Sequence, residues 1–170
     1  NVELDFGRNN KNTIGNNVGN NSVFVSEEEL DSYRYYHPYW AKRGITDERI
    51  IELFNLGYDK STNCITFPVR DRDGNCLFVA RRSVNSKFFN YPSNVEKPLY
   101  GLYELWQYHL THRVEGELNN WMYFPREVII CESMIDCLRL WQNNRYAVAL
   151  NGLGNELQMK QLRDLPCRKL

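Results

Sequence analysis

Glu132 and Asp136 are the residues of this sequence whose type and spacing best suit chemistry. They follow directly on an apolar run, Val128-Ile129-Ile130-Cys131, and stand four residues apart. A helix starting at once would put both carboxylates on neighbouring surface at a strand-to-helix mouth. Two carboxylates held close disfavour joint ionisation unless a cation joins them. A hard divalent cation, bound by a few carboxylates plus substrate phosphates, suits that arrangement. The same spacing also fits a plain acid in a first helical turn, favoured by the helix dipole, with Glu132 an ordinary strand end.

A second group lies between Arg70 and Lys97. Six basic residues, Arg70, Arg72, Arg81, Arg82, Lys87 and Lys97, face three acids, Asp71, Asp73 and Glu96, with Phe88, Phe89 and Tyr91 interleaved. Cations spaced among aromatics suit a single-stranded nucleic-acid track, phosphates on the basic groups and bases on ring faces. A solvated basic edge has the same composition. His37, His109 and His112 are the only histidines, and with no acid at a convincing ligand spacing they read as surface or packing residues.

Periodicity predicts the scaffold around these groups. Val128 to Cys131 reads as a strand, Met134, Ile135, Leu138, Leu140 and Trp141 as a helix, and Tyr146 to Leu150 as a second strand meeting the turn Asn151-Gly152-Leu153-Gly154. That is a βαβ unit with a buried parallel pair, and in such sheets the ligand site lies beyond the carboxyl ends of the strands, where Glu132 stands. Upstream, Cys64 to Phe67, Asp73-Gly74 and Cys76 to Ala80 read as a hairpin, with Pro68 putting the first strand at an edge or at its end. Ser26 and Glu29 form a capping box for a helix carrying Leu30, Tyr33, Tyr36 and Trp40, which Pro38 should kink or restart. The aromatics Tyr33, Tyr35, Tyr36, Tyr39 and Trp40 suit either core or a base-stacking platform. A second helix runs from Thr46 to a C′ glycine at Gly57. A connecting helix from Gly101 to about Arg113 sets Leu102, Leu105, Trp106 and Leu110 on one side, and Glu156 to Leu165 forms a last helix.

Composition sets limits on partners and compartment. The 21 basic and 21 acidic residues cancel, so net charge predicts no polyanion partner and only the local distribution can. Cys64, Cys76, Cys131, Cys137 and Cys167 form no C-x-x-C pair and read as small buried hydrophobes in a reduced cytoplasm. No run is long and apolar enough to span a membrane, so no membrane partner is expected. Residues 1–25, with eight asparagines and three glycines among the first 22, are too polar to bury and read as a linker or a frayed terminus. The start at Asn1 without a methionine suggests a piece of a longer protein.

Glu132-Ser133-Met134-Ile135-Asp136 resembles the Glu-Gly-Tyr-Met-Asp motif that opens the TOPRIM domain of bacterial-type DNA primases, the DnaG family. Three upstream pieces resemble that family in the same order: Tyr39-Trp40-Ala41-Lys42-Arg43-Gly44-Ile45, Phe67-Pro68-Val69-Arg70-Asp71 and Lys97-Pro98-Leu99-Tyr100-Gly101-Leu102. Ser133 replaces the family's glycine, and Asn151 stands where a leucine is expected before Gly152. The resemblance implies an α+β N-terminal subdomain over residues 26–114, a connector over 115–126, and the first βαβ part of an α/β TOPRIM domain over 127–170. It also implies a DNA primase that makes short RNA primers on single-stranded DNA from nucleoside triphosphates, with a replicative helicase as a further partner, in a bacterial or phage-infected cell.

In that family Mg²⁺ or Mn²⁺ would be held by Glu132, Asp136 and an Asp-x-Asp pair on a later strand. No such pair follows Glu132 here, so the 170 residues alone should be inactive. Glu132 would be a metal ligand or a general base on the attacking 3′-hydroxyl. Arg82, where such primases close the hairpin with an arginine, Lys87, in a segment like their Lys-Tyr-Leu-Asn, and Lys97, before their Tyr-Gly-Leu, would line the groove for template and nucleotide phosphates, with Arg70 and Arg81 next. Arg43 is a candidate for that groove or merely for capping the helix that ends at Gly44. Another TOPRIM enzyme, a nuclease or topoisomerase, and a non-catalytic single-strand-binding module are the competing readings.

Overall fold

In the computed structural model, residues 24–92, 95–111 and 124–170 are described. The linker over 1–25 and the connector over 115–126 therefore fall largely outside them. Three short helices come first: α1 (Glu27–Ser32), α2 (Tyr39–Lys42) and α3 (Glu48–Leu53). Ser26 accepts from the Glu29 amide, but the Glu29 carboxylate takes the Tyr33 hydroxyl instead of reaching back, so half of the capping box forms. Pro38 restarts the helix as the N-cap of α2. The aromatic cluster divides: Trp40 is fully buried, donating its indole N–H to Gly57 O, whereas Tyr35 and Tyr36 stay on the surface.

Asp47, not Thr46, caps α3. The helix ends on Asn55, not on Gly57. Asn55 adopts φ 49° while its N–H and that of Leu56 return to Glu52 O and Ile51 O, which satisfies the last carbonyls. Gly57 is needed for another reason, because a Cβ there would lie 2.2 Å from Tyr33 O.

Four antiparallel strands follow in the order β1 (Gly57–Asp59), β2 (Cys64–Arg70), β3 (Cys76–Ser83) and β4 (Phe89–Asn90). Pro68 sits inside β2, beyond the last rung with β1 at Thr66, where β2 has a neighbour on one side only. Next come α4 (Leu102–Thr111), β5 (Ile129–Cys131), α5 (Met134–Gln142), β6 (Ala147–Ala149) and α6 (Glu156–Arg163). The βαβ unit forms as its periodicity predicts, with β5 and β6 parallel and paired Ile129 to Ala147 through Cys131 to Ala149. β6 is wholly buried, while Ile130 at the centre of β5 is open to solvent.

The small sheet is braced on both sides. Tyr100 pairs with Ala149 on the free edge of β6, and Lys169 pairs with Glu127 at the entry to β5. Gly101 lets this close approach happen: its φ is +88°, and a Cβ would meet Ala147 O at 2.9 Å. One hydrophobic core runs through both sheets, from Trp40, Phe54 and Phe67 to Tyr100, Leu138 and Leu162. On α4, Leu102, Leu105 and Trp106 face that core, but Leu110 is exposed and Glu104 and His109 are buried. Among the described residues no helix is long and apolar enough to cross a membrane.

Candidate nucleotide-binding site

Glu132 leaves β5 at its carboxyl end, and Ser133 turns the chain into α5 by accepting the Asp136 amide at 3.2 Å. The neighbouring loop is tied to the same turn, with Leu150 N–H on Cys131 O and Asn151 N–H on Glu132 O. Between these loops and the four-stranded sheet lies a cavity of about 310 Å³, lined by Glu132, Ser133, Asn151, Arg43, Arg82 and Phe89, among others. Acid and guanidinium groups from the two sheets thus share one space.

The alternation of β3 decides which arginine reaches it. Phe78 and Ala80 face the main core and Val79 the small cluster under α1, so Arg82 continues the first row and Arg81 the second. Arg82 is half-buried at the cavity, with Nε 3.4 Å from the Tyr39 hydroxyl. Phe89 and Tyr91 stack beside it at 4.8 Å, and burial holds the Tyr91 phenol well above its usual range. Lys97 Nζ lies over the Tyr91 ring, 4.3 Å from its centre. Lys87 stands exposed on the β3–β4 loop beside an exposed Phe88.

Of the five basic residues expected in the groove only Arg82 lines the cavity; Lys87 and Lys97 stand outside its lining, and Arg81 and Arg70 are held elsewhere. Arg81 donates to Asp59 at 2.9 Å and to the Tyr33 hydroxyl at 2.8 Å on the opposite face. Burial alone would raise the Asp59 carboxyl, but hydrogen bonds from Ser61 and Arg81 outweigh it and hold the group below the ordinary value. Arg70, at the far end of the hairpin, pairs with Glu27 at 2.9 Å and donates to Gly74 O at 2.7 Å. Both guanidiniums are committed to internal partners and do not line the cavity.

Asp136 and Glu132 differ in the same way. The Asp136 carboxylate accepts from Ser133 Oγ at 2.7 Å and lies 3.5 Å from Arg139, while exposed Glu132 faces the cavity. Among the described residues no three His, Cys, Asp or Glu side chains converge on a common point. Glu132, with Asp136 beside it, matches a hard cation in ligand type but not in number. Substrate phosphate oxygens would have to complete the set.

Two signals stand out beyond the sequence reading. Arg43 Nε and Asn151 Oδ1 are both buried without a hydrogen-bond partner, and both residues line this cavity. Buried polar atoms of this kind are uncommon and mark an unfilled partner position. Arg43 was legible as a candidate within its matched motif. Asn151 showed only as a departure before a glycine, and its left-handed φ of 55° is the kind of conformation asparagine tolerates.

The architecture is that of solved primase catalytic cores. A DnaG catalytic core matches with a TM-score of 0.60 at 19% identity, covering 82% of this chain and 57% of that one. A DnaG primase catalytic domain bound to single-stranded DNA matches at 0.57 and 19%, over 84% of this chain and 58% of that one. A DNA primase domain from Pseudomonas aeruginosa matches at 0.57 and 22%, over 82% and 57%. The chain therefore spans somewhat over half the length of these structures. No family model matches the sequence, and no curated protein does.

Proposed function

We propose that this chain is the template- and nucleotide-binding part of a DNA primase, in which residues 26–114 supply the basic wall and residues 127–170 the acidic one, the latter as the opening βαβ of a TOPRIM domain. The observation that carries this reading is the cavity that Glu132 shares with Arg82 from β3 and Arg43 from the end of α2, within a primase-type fold. Guanidiniums present fixed forks to phosphate oxygens, so Arg43 and Arg82 would grip the triphosphate or the template backbone. The Phe89–Tyr91 stack gives a base or sugar an apolar wall. Lys87, exposed on its loop, would follow the strand as it leaves, and Lys97 would keep the Tyr91 ring in place.

Glu132 would hold Mg²⁺ or Mn²⁺ together with phosphate oxygens, and Asp136 would join once it releases Arg139. Such an ion, when bound, neutralises charge on the transferring phosphate. With so few acids, the 170 residues alone should bind without synthesising. The partners that follow are single-stranded DNA and nucleoside triphosphates, with a replicative helicase as a third. A second reading, a non-catalytic single-strand-binding module, is favoured by one observation: the Asp136 carboxylate already has Ser133 and Arg139.

Primer synthesis separates the two. The full-length protein, given single-stranded DNA, labelled nucleoside triphosphates and Mg²⁺ or Mn²⁺, should make short RNA, and Glu132→Gln should lower the yield on the order of a hundredfold or more. DNA binding without product in the wild type would favour the binding module. Cleaved or relaxed DNA without RNA would move the assignment to another TOPRIM chemistry.

A further inference from the structure

The loop after Arg43 is held by side chains of α5, although the two lie 95 to 98 residues apart in sequence. Arg139 Nε donates to Arg43 O at 2.9 Å. Gln142 Nε2 donates to Gly44 O at 3.1 Å, and its Oε1 accepts from the amides of Thr46 at 2.8 Å and Asp47 at 3.0 Å. One carboxamide thus satisfies a carbonyl and two amides at once, a task for which it has both donor and acceptor. Without it, these backbone groups at the entry to α3 must turn to water. Gly44 adopts φ +80° at this corner, and a Cβ there would stand 3.4 Å from Arg139 Nε, so the two segments already touch. Arg139 in turn lies 3.5 Å from Asp136, which holds Ser133. A continuous chain of contacts runs from the turn that bears Glu132 to the backbone of Arg43.

The geometry points to Gln142, assisted by Arg139, as a positioning residue: α5 begins one turn residue after Glu132 and, through this latch, sets where the Arg43 guanidinium stands in the cavity. The inference rests on the reading of that cavity as a phosphate-binding site. Gln142 touches no ligand itself and acts through Arg43. The orphan Nε of Arg43 gives the latch its purpose, because a guanidinium without a fixed partner in the protein depends on its backbone for aim.

A double-mutant cycle on ATP binding in the presence of Mn²⁺ tests this, using wild type, Gln142→Met, Arg43→Ala and the double variant. Gln142→Met conserves volume while removing all three hydrogen bonds. Each single change is expected to weaken ATP binding on the order of tenfold, as loss of a hydrogen bond to a charged group does. The double variant should bind no more weakly than Arg43→Ala, within about twofold. Gln142→Glu keeps both amide contacts and loses only the one to Gly44, so it should give a smaller loss that again vanishes without Arg43. Independent, multiplying effects, or wild-type affinity in Gln142→Met, would overturn the latch. Should Gln142→Met fail to melt cooperatively, the Gln142→Glu cycle decides by the same criterion. Wild-type affinity in Arg43→Ala, or no ATP binding by the wild type, would overturn the phosphate-binding reading and the latch with it.

Discussion

On one face of the β2–β3 hairpin Arg81 ends on Asp59 and Tyr33; on the other, one residue later, Arg82 ends in a cavity shared with Glu132 and Arg43. Side-chain chemistry is the same at both positions, and only the partners differ. Where a guanidinium has buried carboxylate and hydroxyl acceptors, its charge maintains the fold. Where the described residues offer one long contact, at 3.4 Å to Tyr39, the charge is left open to the cavity. Glu132 and Asp136 repeat the contrast among acids, the first facing the cavity and the second held by Ser133 and Arg139.

The largest effect expected on stability comes from an acid that belongs to neither class. Glu104 is buried on α4, and burial pushes its carboxyl up to about 7, against a hydrogen bond to its own backbone and attraction from Arg70. The folded state therefore binds a proton that the unfolded chain, with an ordinary pKa near 4.5, gives up. The contribution is fully present below about pH 4.5 and is lost as pH rises to about 7, for a change of about 3 kcal/mol. Denaturant unfolding across that range should show the decline, and Glu104→Gln should flatten it. A slope unchanged in the variant would mean that another group titrates.

Next in size is Arg81→Met, which leaves the Asp59 carboxylate buried and short of its cation. With Arg81 about a quarter exposed, the cost should be about 2–3 kcal/mol, less than for a fully buried pair. DNA affinity per folded molecule should not change. Equal weakening of DNA binding would erase the distinction between the two faces. Smallest in stability, and the sharpest test of the contrast, is Arg82→Ala beside Lys87→Ala. Both should melt within about 0.5 kcal/mol of wild type. Each should lower the slope of log affinity against log salt for single-stranded DNA by about one. An unchanged slope in either would remove that residue from the groove.

Much of the architecture was legible because it rests on local rules. The βαβ around Glu132 followed from two apolar runs and a helical period, and the hairpin from alternation about Asp73-Gly74. Turn chemistry was read less well. Asn55 took the C′ position expected of Gly57, because an asparagine tolerates the left-handed conformation while Gly57 answers a steric demand from Tyr33, set by a segment far away in the chain. The arginines of residues 70–82 could not be sorted by composition. Their partners Glu27, Tyr33 and Asp59 lie 22 to 48 residues away, and no local pattern encodes those contacts.

Sequence pattern missed the short strands β1 and β4 but accounts for the β2–β3 hairpin and for the βαβ unit that stands Glu132 at the carboxyl end of a parallel strand. Both depend on side-chain periodicity over a few residues. Packing between distant segments set the rest: Arg82 and not Arg81 shares a cavity with Glu132, Arg43 lines that cavity too, and Gln142 holds the Arg43 loop. Those outcomes depend on which faces of two sheets are pressed onto one core, and a pleat of period two turns that choice into opposite roles for neighbouring residues.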